Sequence, residues 1–328
     1  MPVAKRGFRA LAAVAALVVC TSAPAVAEPV GLAAVADLPL APYVDMGSWP
    51  TPSLSEMSAA SGITSYTLGF VIAAGCRASW FAAYDPRDGW QLDEIGKIRA
   101  AGGDVKISFG GASGVELAQA CATPDSTFAE YDAVVKKYQL KYADFDIEGA
   151  AVADPASVQR RSAALAKLQQ ANPGLKISLT LPVLPTGLTA DGLNVVRSAK
   201  TAGVVLDKVN VMAMDYYQGP ADQGAKAIQA GRSTQAQLKT VYPDVADAEL
   251  WRMVGVTPML GQNDSRDEIF TQSDAQELVA FAGQQRLGML SFWEMTRDRN
   301  ACQGPLYKCT NVPQQPYEFA KIFAAYRG

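Results

Sequence analysis

Three acids stand at alternate positions in the segment Lys141-Tyr142-Ala143-Asp144-Phe145-Asp146-Ile147-Glu148-Gly149. In an extended strand alternate side chains share a face, so Asp144, Asp146 and Glu148 line one side and Phe145 and Ile147 the other. Alternate residues lie about 6.6 Å apart along such a strand. That spacing suits a chain of hydrogen-bonded carboxyls better than a tight metal clamp. A metal reading would need a hard cation such as Mg²⁺ or Ca²⁺, and no metal or cofactor is expected. The chain has no histidine, which excludes a Ser-His-Asp triad, a Cys-His pair and a histidine-ligated metal. Acid–base work near neutral pH then falls to carboxyls, Lys, Tyr or Cys. Burial and like-charge repulsion raise the pKa of some of the three acids, so the group retains a proton. The rival reading is an edge strand with its acids in water, and Phe145 and Ile147, which demand an apolar partner, argue against it.

Such a ladder needs a scaffold that buries one strand face and opens one strand end. Short apolar or β-branched runs recur at Tyr43–Met46, Tyr66–Ile72, Val105–Phe109, Tyr142–Ile147, Leu175–Leu181, Leu206–Met212, Met253–Thr257 and Met289–Phe292. Each gap leaves room for a crossover helix. Phe128, Tyr131, Val134, Val135 and Tyr138 repeat at helical spacing. Asp154-Pro155 caps a helix carrying Val158, Leu165 and Leu168, and Asn172-Pro173-Gly174 stops it. Ser273–Gln284 and Gln315–Tyr326 also read as helices. Eight such strands predict an α/β fold, a single (β/α)8 barrel of the triosephosphate isomerase type, whose catalytic residues sit at the C-terminal ends of the strands. An open doubly wound sheet would need a glycine-rich phosphate loop after its first strand, and Asp45-Met46-Gly47-Ser48-Trp49 is not one.

The 328 residues, 49% hydrophobic and 19% charged, are globular in composition. Lys5, Arg6 and Arg9 precede the apolar run Ala10–Val19, and Ala25-Val26-Ala27 reads as a cleavage site. Residues 1–27 are therefore expected to be a secretory signal peptide, and 28–328 the barrel domain of an extracellular protein. A lipoprotein acylated at Cys20 is the alternative. The remainder carries 26 basic and 32 acidic residues, net −6. Without a basic cluster, nucleic acid is not an expected partner; beyond residues 1–27 no stretch approaches membrane length, so no membrane is expected either, and a monomer is expected. Cys76, Cys121, Cys302 and Cys309 remain. An even count in an exported chain suggests disulfides, here Cys76–Cys121 and Cys302–Cys309, among three possible pairings.

The acidic segment, preceded by Ser108-Phe109-Gly110-Gly111 and followed by Met212-Ala213-Met214-Asp215-Tyr216 and Ser291-Phe292-Trp293-Glu294, resembles the family 18 glycoside hydrolases, the chitinases. The likeness runs over nearly all of residues 28–328. It departs from the family pattern at Lys141-Tyr142, where Asp-Gly is usual, and in having Met214 before Asp215 and Tyr216 after it. The resemblance implies a retaining hydrolysis of bonds between N-acetylglucosamine units, in which the substrate's own acetamido oxygen is the nucleophile, an exception to the two-carboxylate scheme. It implies Glu148 as general acid and then base. Asp146 would orient the acetamido group, and Asp144, held by Ser108, would share a proton with it. Asp215 and Tyr216 would touch the acetamido group and Trp293 would floor the sugar site.

Chitin or chito-oligosaccharides are the implied partners. Met212 and Met214 are read as core packing. Gln262-Asn263-Asp264 are read as amides offered to sugar hydroxyls, and Trp49, Trp80, Trp90 and Trp251 as mostly packing. Two other functions stay open: a barrel that binds such polymers without cleaving them, and an endo-β-N-acetylglucosaminidase acting on N-glycan cores. Glu148, the residue a non-cleaving binder would lack, favours the hydrolase.

Overall fold

A computed structural model describes residues 1–4, 7 and 37–328. The expected signal peptide, Cys20 and the boundary at Ala27 lie outside the described residues, apart from residues 1–4 and 7. The chain divides into two units, Met1–Ala33 and Ala34–Gly328; everything below concerns the second.

Eight parallel strands alternate with eight principal helices. The strands are β1 (Tyr43–Asp45), β2 (Ser65–Ala73), β3 (Asp104–Gly110), β4 (Tyr142–Asp146), β5 (Lys176–Leu184), β6 (Leu206–Met212), β7 (Val254–Thr257) and β8 (Met289–Leu290). Each pairs with its successor in that order. The sheet closes where Leu40 bridges Leu290 and the Tyr43 amide donates to the Phe292 carbonyl. The expected (β/α)8 barrel is the observed fold. The expected strands agree to within two residues except at β5. That strand runs on to Leu184 because it turns back onto Gly187–Leu188 in an antiparallel hairpin.

The helices are α1 (Leu54–Ser61), α2 (Leu92–Ala100), α3 (Pro124–Tyr138), α4 (Pro155–Ala171), α5 (Ala190–Thr201), α6 (Gln223–Val241), α7 (Gln272–Gln285) and α8 (Glu318–Phe323). Their starts follow from local chemistry. Thr123 caps α3, with Pro124 in its first turn, and Asp154 accepts from the Ala156 and Ser157 amides at the head of α4. None of the described helices is long and apolar enough to cross a membrane. The C-terminal helix is shorter than the expected Gln315–Tyr326. Tyr317 adopts φ 58°, and the buried Asp298 carboxylate accepts from the Phe319 and Ala320 amides, which sets the helical start at Glu318.

The apolar face of β4 packs outward as its alternation requires. The Phe145 ring stacks on Phe109 at 5.1 Å and meets Tyr131 of α3 edge-on at 4.9 Å. Burying such a ring contributes about 1.5–3 kcal/mol. The other face points into the barrel, which is polar at this level: Ser108, Asp144, Ser178, Thr180 and Asn210 are all buried there. Both disulfides form with the expected partners, Cys76–Cys121 and Cys302–Cys309.

Candidate active site

Strand register sets the first layer. Ser108 of β3, Asp144 of β4 and Ser178 of β5 are lateral neighbours, and Gly110, Asp146 and Thr180 form the next row toward the mouth. Asp144 is fully buried and accepts from Ser108 Oγ at 2.7 Å, Tyr43 Oη at 2.8 Å and Thr180 Oγ1 at 2.9 Å, with Ser178 Oγ also donating. Burying a carboxylate is costly unless its oxygens are satisfied, and hydroxyls from four side chains do so here. Below this layer the buried Lys106 ammonium donates to Ser178 Oγ at 3.3 Å. Tyr43, Lys106, Ser178 and Thr180 were not singled out from the sequence. The polar pair Ser178 and Thr180, alternating within an apolar strand, carried the signal.

Asp146 sits one row higher, also buried, with its Oδ1 lacking a hydrogen-bond partner among the described residues. Its carboxyl is hydrogen-bonded to Glu148. Asp144 accepts from hydroxyls and acts on Asp146 through charge. Burial, then the Glu148 and Asp144 charges, push the Asp146 pKa well above the usual carboxylate range. Burial pushes Glu148 up to about 7, with the charge of Asp215 adding to the shift and the Asp146 hydrogen bond opposing it. A carboxyl that keeps its proton near neutral pH is a competent general acid.

The motif Ser-x-Gly-Gly has a steric reason. A Cβ on Gly110, at φ 107°, would lie 2.0 Å from the Asp146 carbonyl oxygen, and one on Gly111, at φ 88°, 2.8 Å from the Phe70 ring. These glycines let the β3 loop close against the ladder.

Asp146 and Glu148 open into a cleft of about 410 Å³ at the mouth of the barrel. Its aromatic wall is Tyr43, Phe70, Phe81 and Trp293, and the Trp293 ring stacks on Phe70 at 5.7 Å. Met212, Met214, Asp215 and Asp264 also line the cleft. Burial raises the Asp215 pKa, against the hydrogen bond it accepts from the Ser265 amide.

Several expectations change at this point. Met212 and Met214 line the cleft instead of packing the core, because β6 ends here. Ser108 does not reach the cleft; it lies beneath, bonded to Asp144. Tyr216 does not line it either: its ring is buried beside Lys226, and its neighbour Tyr217 is the exposed one, at 75%. The amides of Gln262 and Asn263 are spent inside the protein, on the Arg266 carbonyl and on the Met259 and Gly261 carbonyls, so of that trio only Asp264 borders the cleft. Trp80 is core and Trp90 and Trp251 pack against rings, whereas Trp49 is 84% exposed. Glu294, the last residue of the fourth motif, accepts from the Thr296 and Arg297 amides and caps a short helix.

Among known proteins, no family model matches the chain. It is 38% identical over 305 residues to a protein described as "Probable bifunctional chitinase/lysozyme" of Escherichia coli (strain K12), covering 87% of this chain and 34% of that protein. It is 39% identical over 271 residues to "Endochitinase 11" of Metarhizium anisopliae, covering 79% of this chain and 52% of that protein. The chain thus spans about a third and about half of the length of these two curated relatives. Among solved structures, the catalytic domain of the hyperthermophilic chitinase from Pyrococcus furiosus matches with a TM-score of 0.81 at 34% identity, over 89% of this chain and 95% of that one. A GH18 chitinase from Pseudoalteromonas aurantia, at 19% identity and a TM-score of 0.55, shares the fold over 80% of this chain and 96% of that one. A barrel whose fourth strand raises buried acids to an aromatic-walled cleft, matched over nearly its whole described length by a chitinase catalytic domain, places this chain in glycoside hydrolase family 18, the chitinases.

Proposed function

We propose that the protein hydrolyses the β-1,4 bonds between N-acetylglucosamine units of chitin or chito-oligosaccharides with retention, using the substrate's acetamido oxygen as nucleophile. The observation that carries this reading is Asp146: a buried carboxyl at the cleft floor, hydrogen-bonded to Glu148, with one oxygen left unpartnered. An acetamide N–H is the donor that would satisfy that oxygen. In this reading each residue has a task. Glu148, protonated up to about pH 7, donates its proton to the leaving glycosidic oxygen as that bond breaks. The acetamido carbonyl oxygen attacks the anomeric carbon and forms a cationic oxazolinium ring. Asp146 accepts from the acetamide N–H at its unpartnered Oδ1, and the negative charge left on the Asp146–Glu148 pair after proton donation offsets the positive ring. Glu148, now ionised, takes a proton from water as the water opens the ring. Trp293 offers an aromatic face to the apolar face of the sugar. Asp215 adds a polar contact and an electrostatic push that keeps the proton on Glu148.

The reading extends to the compartment. Residues 1–27 are proposed as a cleaved signal peptide and the mature protein as extracellular and monomeric, with two disulfides in keeping with an oxidising environment. Mass measurement of the exported protein should give a chain beginning at Glu28.

The deciding experiment uses a fluorogenic chitotrioside and matched chito-oligosaccharides with and without the acetyl group on the sugar that donates to the cleaved bond. The acetylated substrate should be cut and its deacetylated twin should not, and NMR should show the β-anomer first. Equal cleavage of the twin, or the α-anomer first, would remove the acetamido group from the mechanism.

A further inference from the structure

Asp215 reaches the cleft from a loop whose backbone needs outside support. Asp215 and Tyr217 have φ of 49° and 54°, values that side-chain-bearing residues seldom adopt. The amides of this turn are held by two buried side chains of the loop that follows β7. Asn263 Oδ1 accepts from the Asp215 amide at 3.2 Å. Glu268 accepts from the Tyr216 amide at 2.7 Å through one oxygen and from the Gln218 amide at 2.9 Å through the other. Glu268 is wholly buried, and Lys226 stands 3.5 Å from it as its counter-charge. The two holders are fixed to each other, because the Asn263 amide donates to the Glu268 carbonyl at 2.9 Å. The loop also grips the acid directly, since the Ser265 amide donates to Asp215 Oδ1 at 2.9 Å.

We infer that Glu268, with Asn263, is a positioning residue for Asp215: the β7 loop is a template that holds the β6 turn in its left-handed form and aims the Asp215 carboxylate into the cleft. The inference rests on the role proposed above for Asp215. Two buried charge-assisted bonds from Glu268 and a third, neutral one from Asn263 hold three amides of one turn, the kind of support that such a backbone conformation requires. Neither residue touches the cleft wall, so each acts through Asp215.

The test is a double-mutant cycle. Glu268→Gln replaces one acceptor oxygen by an amide that faces a backbone N–H, so one of the two bonds is lost. On fluorogenic chitotrioside, kcat/KM should fall by about 10-fold to 100-fold in the wild-type background, an order typical of a displaced active-site group. In an Asp215→Ala background the same substitution should change kcat/KM by less than about twofold, so that the two effects are strongly non-additive. The basic limb of the pH profile belongs to Glu148, which faces Asp146 as well as Asp215; it should move to lower pH in Glu268→Gln and stay put when Asp215 is already absent. An equal loss in both backgrounds, with no movement of the limb, would overturn the inference and leave Glu268 a purely structural residue.

A second readout is independent of turnover. Amide exchange at Tyr216 and Gln218 should accelerate in Glu268→Gln while exchange in β4 is unchanged; unchanged protection at both amides overturns the template. If the wild-type protein cuts no chito-oligosaccharide, the functional reading fails and the exchange result alone decides this one. Should Glu268→Gln not fold, Asn263→Ala takes its place, with the Asp215 amide as reporter.

Discussion

The cleft has two acidic sides, and they are built differently. Asp144, Asp146 and Glu148 owe their alignment to one strand, since β alternation places them on a face and register with β3 and β5 supplies the hydroxyls beneath. Asp215 owes its place to a turn with two left-handed residues, clamped by side chains from about 50 positions downstream. One side is made by secondary structure, the other by loop-to-loop contact. The difference teaches where chemistry can be read from spacing and where it cannot. A strand face is a local property. A clamped turn exists only when two distant segments are already in place.

The largest expected effect falls on the strand side. Glu148→Gln preserves shape and removes the transferable proton, so kcat should drop by about 10²–10⁴. Near-normal turnover would take Glu148 out of the mechanism. The same variant has a stability signature with a definite sign. Glu148 is raised from 4.5 to about 7, so folding takes up a proton between those values and stability declines as pH rises through that window. Melting curves from pH 4 to 8 should therefore show the wild type losing ground to Glu148→Gln above pH 4.5. Parallel curves would show that burial does not perturb this carboxyl.

The opposite face of the same strand should respond in stability instead of chemistry. Phe145→Ala removes a ring packed on Phe109 and Tyr131 and should cost about 3–5 kcal/mol, with the activity of the folded fraction retained. Urea denaturation with activity per folded molecule separates the two. A loss of activity without a loss of stability would mean that the two faces are not independent.

The disulfides probe the two sides in turn. Cys76–Cys121 ties the segment after β2 to the segment after β3, the strand that pairs with β4, across 45 residues. Cys302–Cys309 spans 7 and lies beside the loop side, where the Cys309 carbonyl accepts from Arg297 and the Thr310 carbonyl from the Gln262 amide. In the chain-entropy model, loss of the first should cost about 4 kcal/mol and of the second about 2 kcal/mol. Paired Cys→Ser variants compared by denaturation would show the order, and a reversed order would place the contribution in native-state contacts instead of loop length.

The smallest readout is a pH shift, and it joins the two sides. Asp215→Asn removes a negative charge that raises Glu148, so the basic limb of kcat/KM should shift to lower pH. A shift to higher pH would show that the loop acid does not act on the strand acid.

Residues on the strand side were legible because their environment follows from alternation. Asp144, Asp146 and Glu148 appeared as a ladder, Phe145 and Ile147 as its apolar back, and Ser178 and Thr180 carried the same signal unread. The loop side was misread at Tyr216, which the turn buries while it exposes Tyr217, and at Asn263, whose amide and carbonyl oxygen are taken up inside the fold. Met212 and Met214 looked like core because methionine is apolar; their place at the end of β6 turns them to the cleft instead.

The sequence by itself determined the alternation of eight strands with helices, the carboxylate ladder on the fourth strand, and the absence of histidine that narrows proton transfer near neutral pH to carboxyls, Lys, Tyr or Cys. These depend on short-range rules, 3.6 residues per helical turn and two per strand repeat, that every local segment obeys. Tertiary structure alone decided which hydroxyls satisfy Asp144, that Asp146 bonds upward to Glu148, and that Glu268 and Asn263 hold Asp215. Those outcomes depend on barrel register and on loops meeting across the mouth, distances that no spacing along the chain encodes.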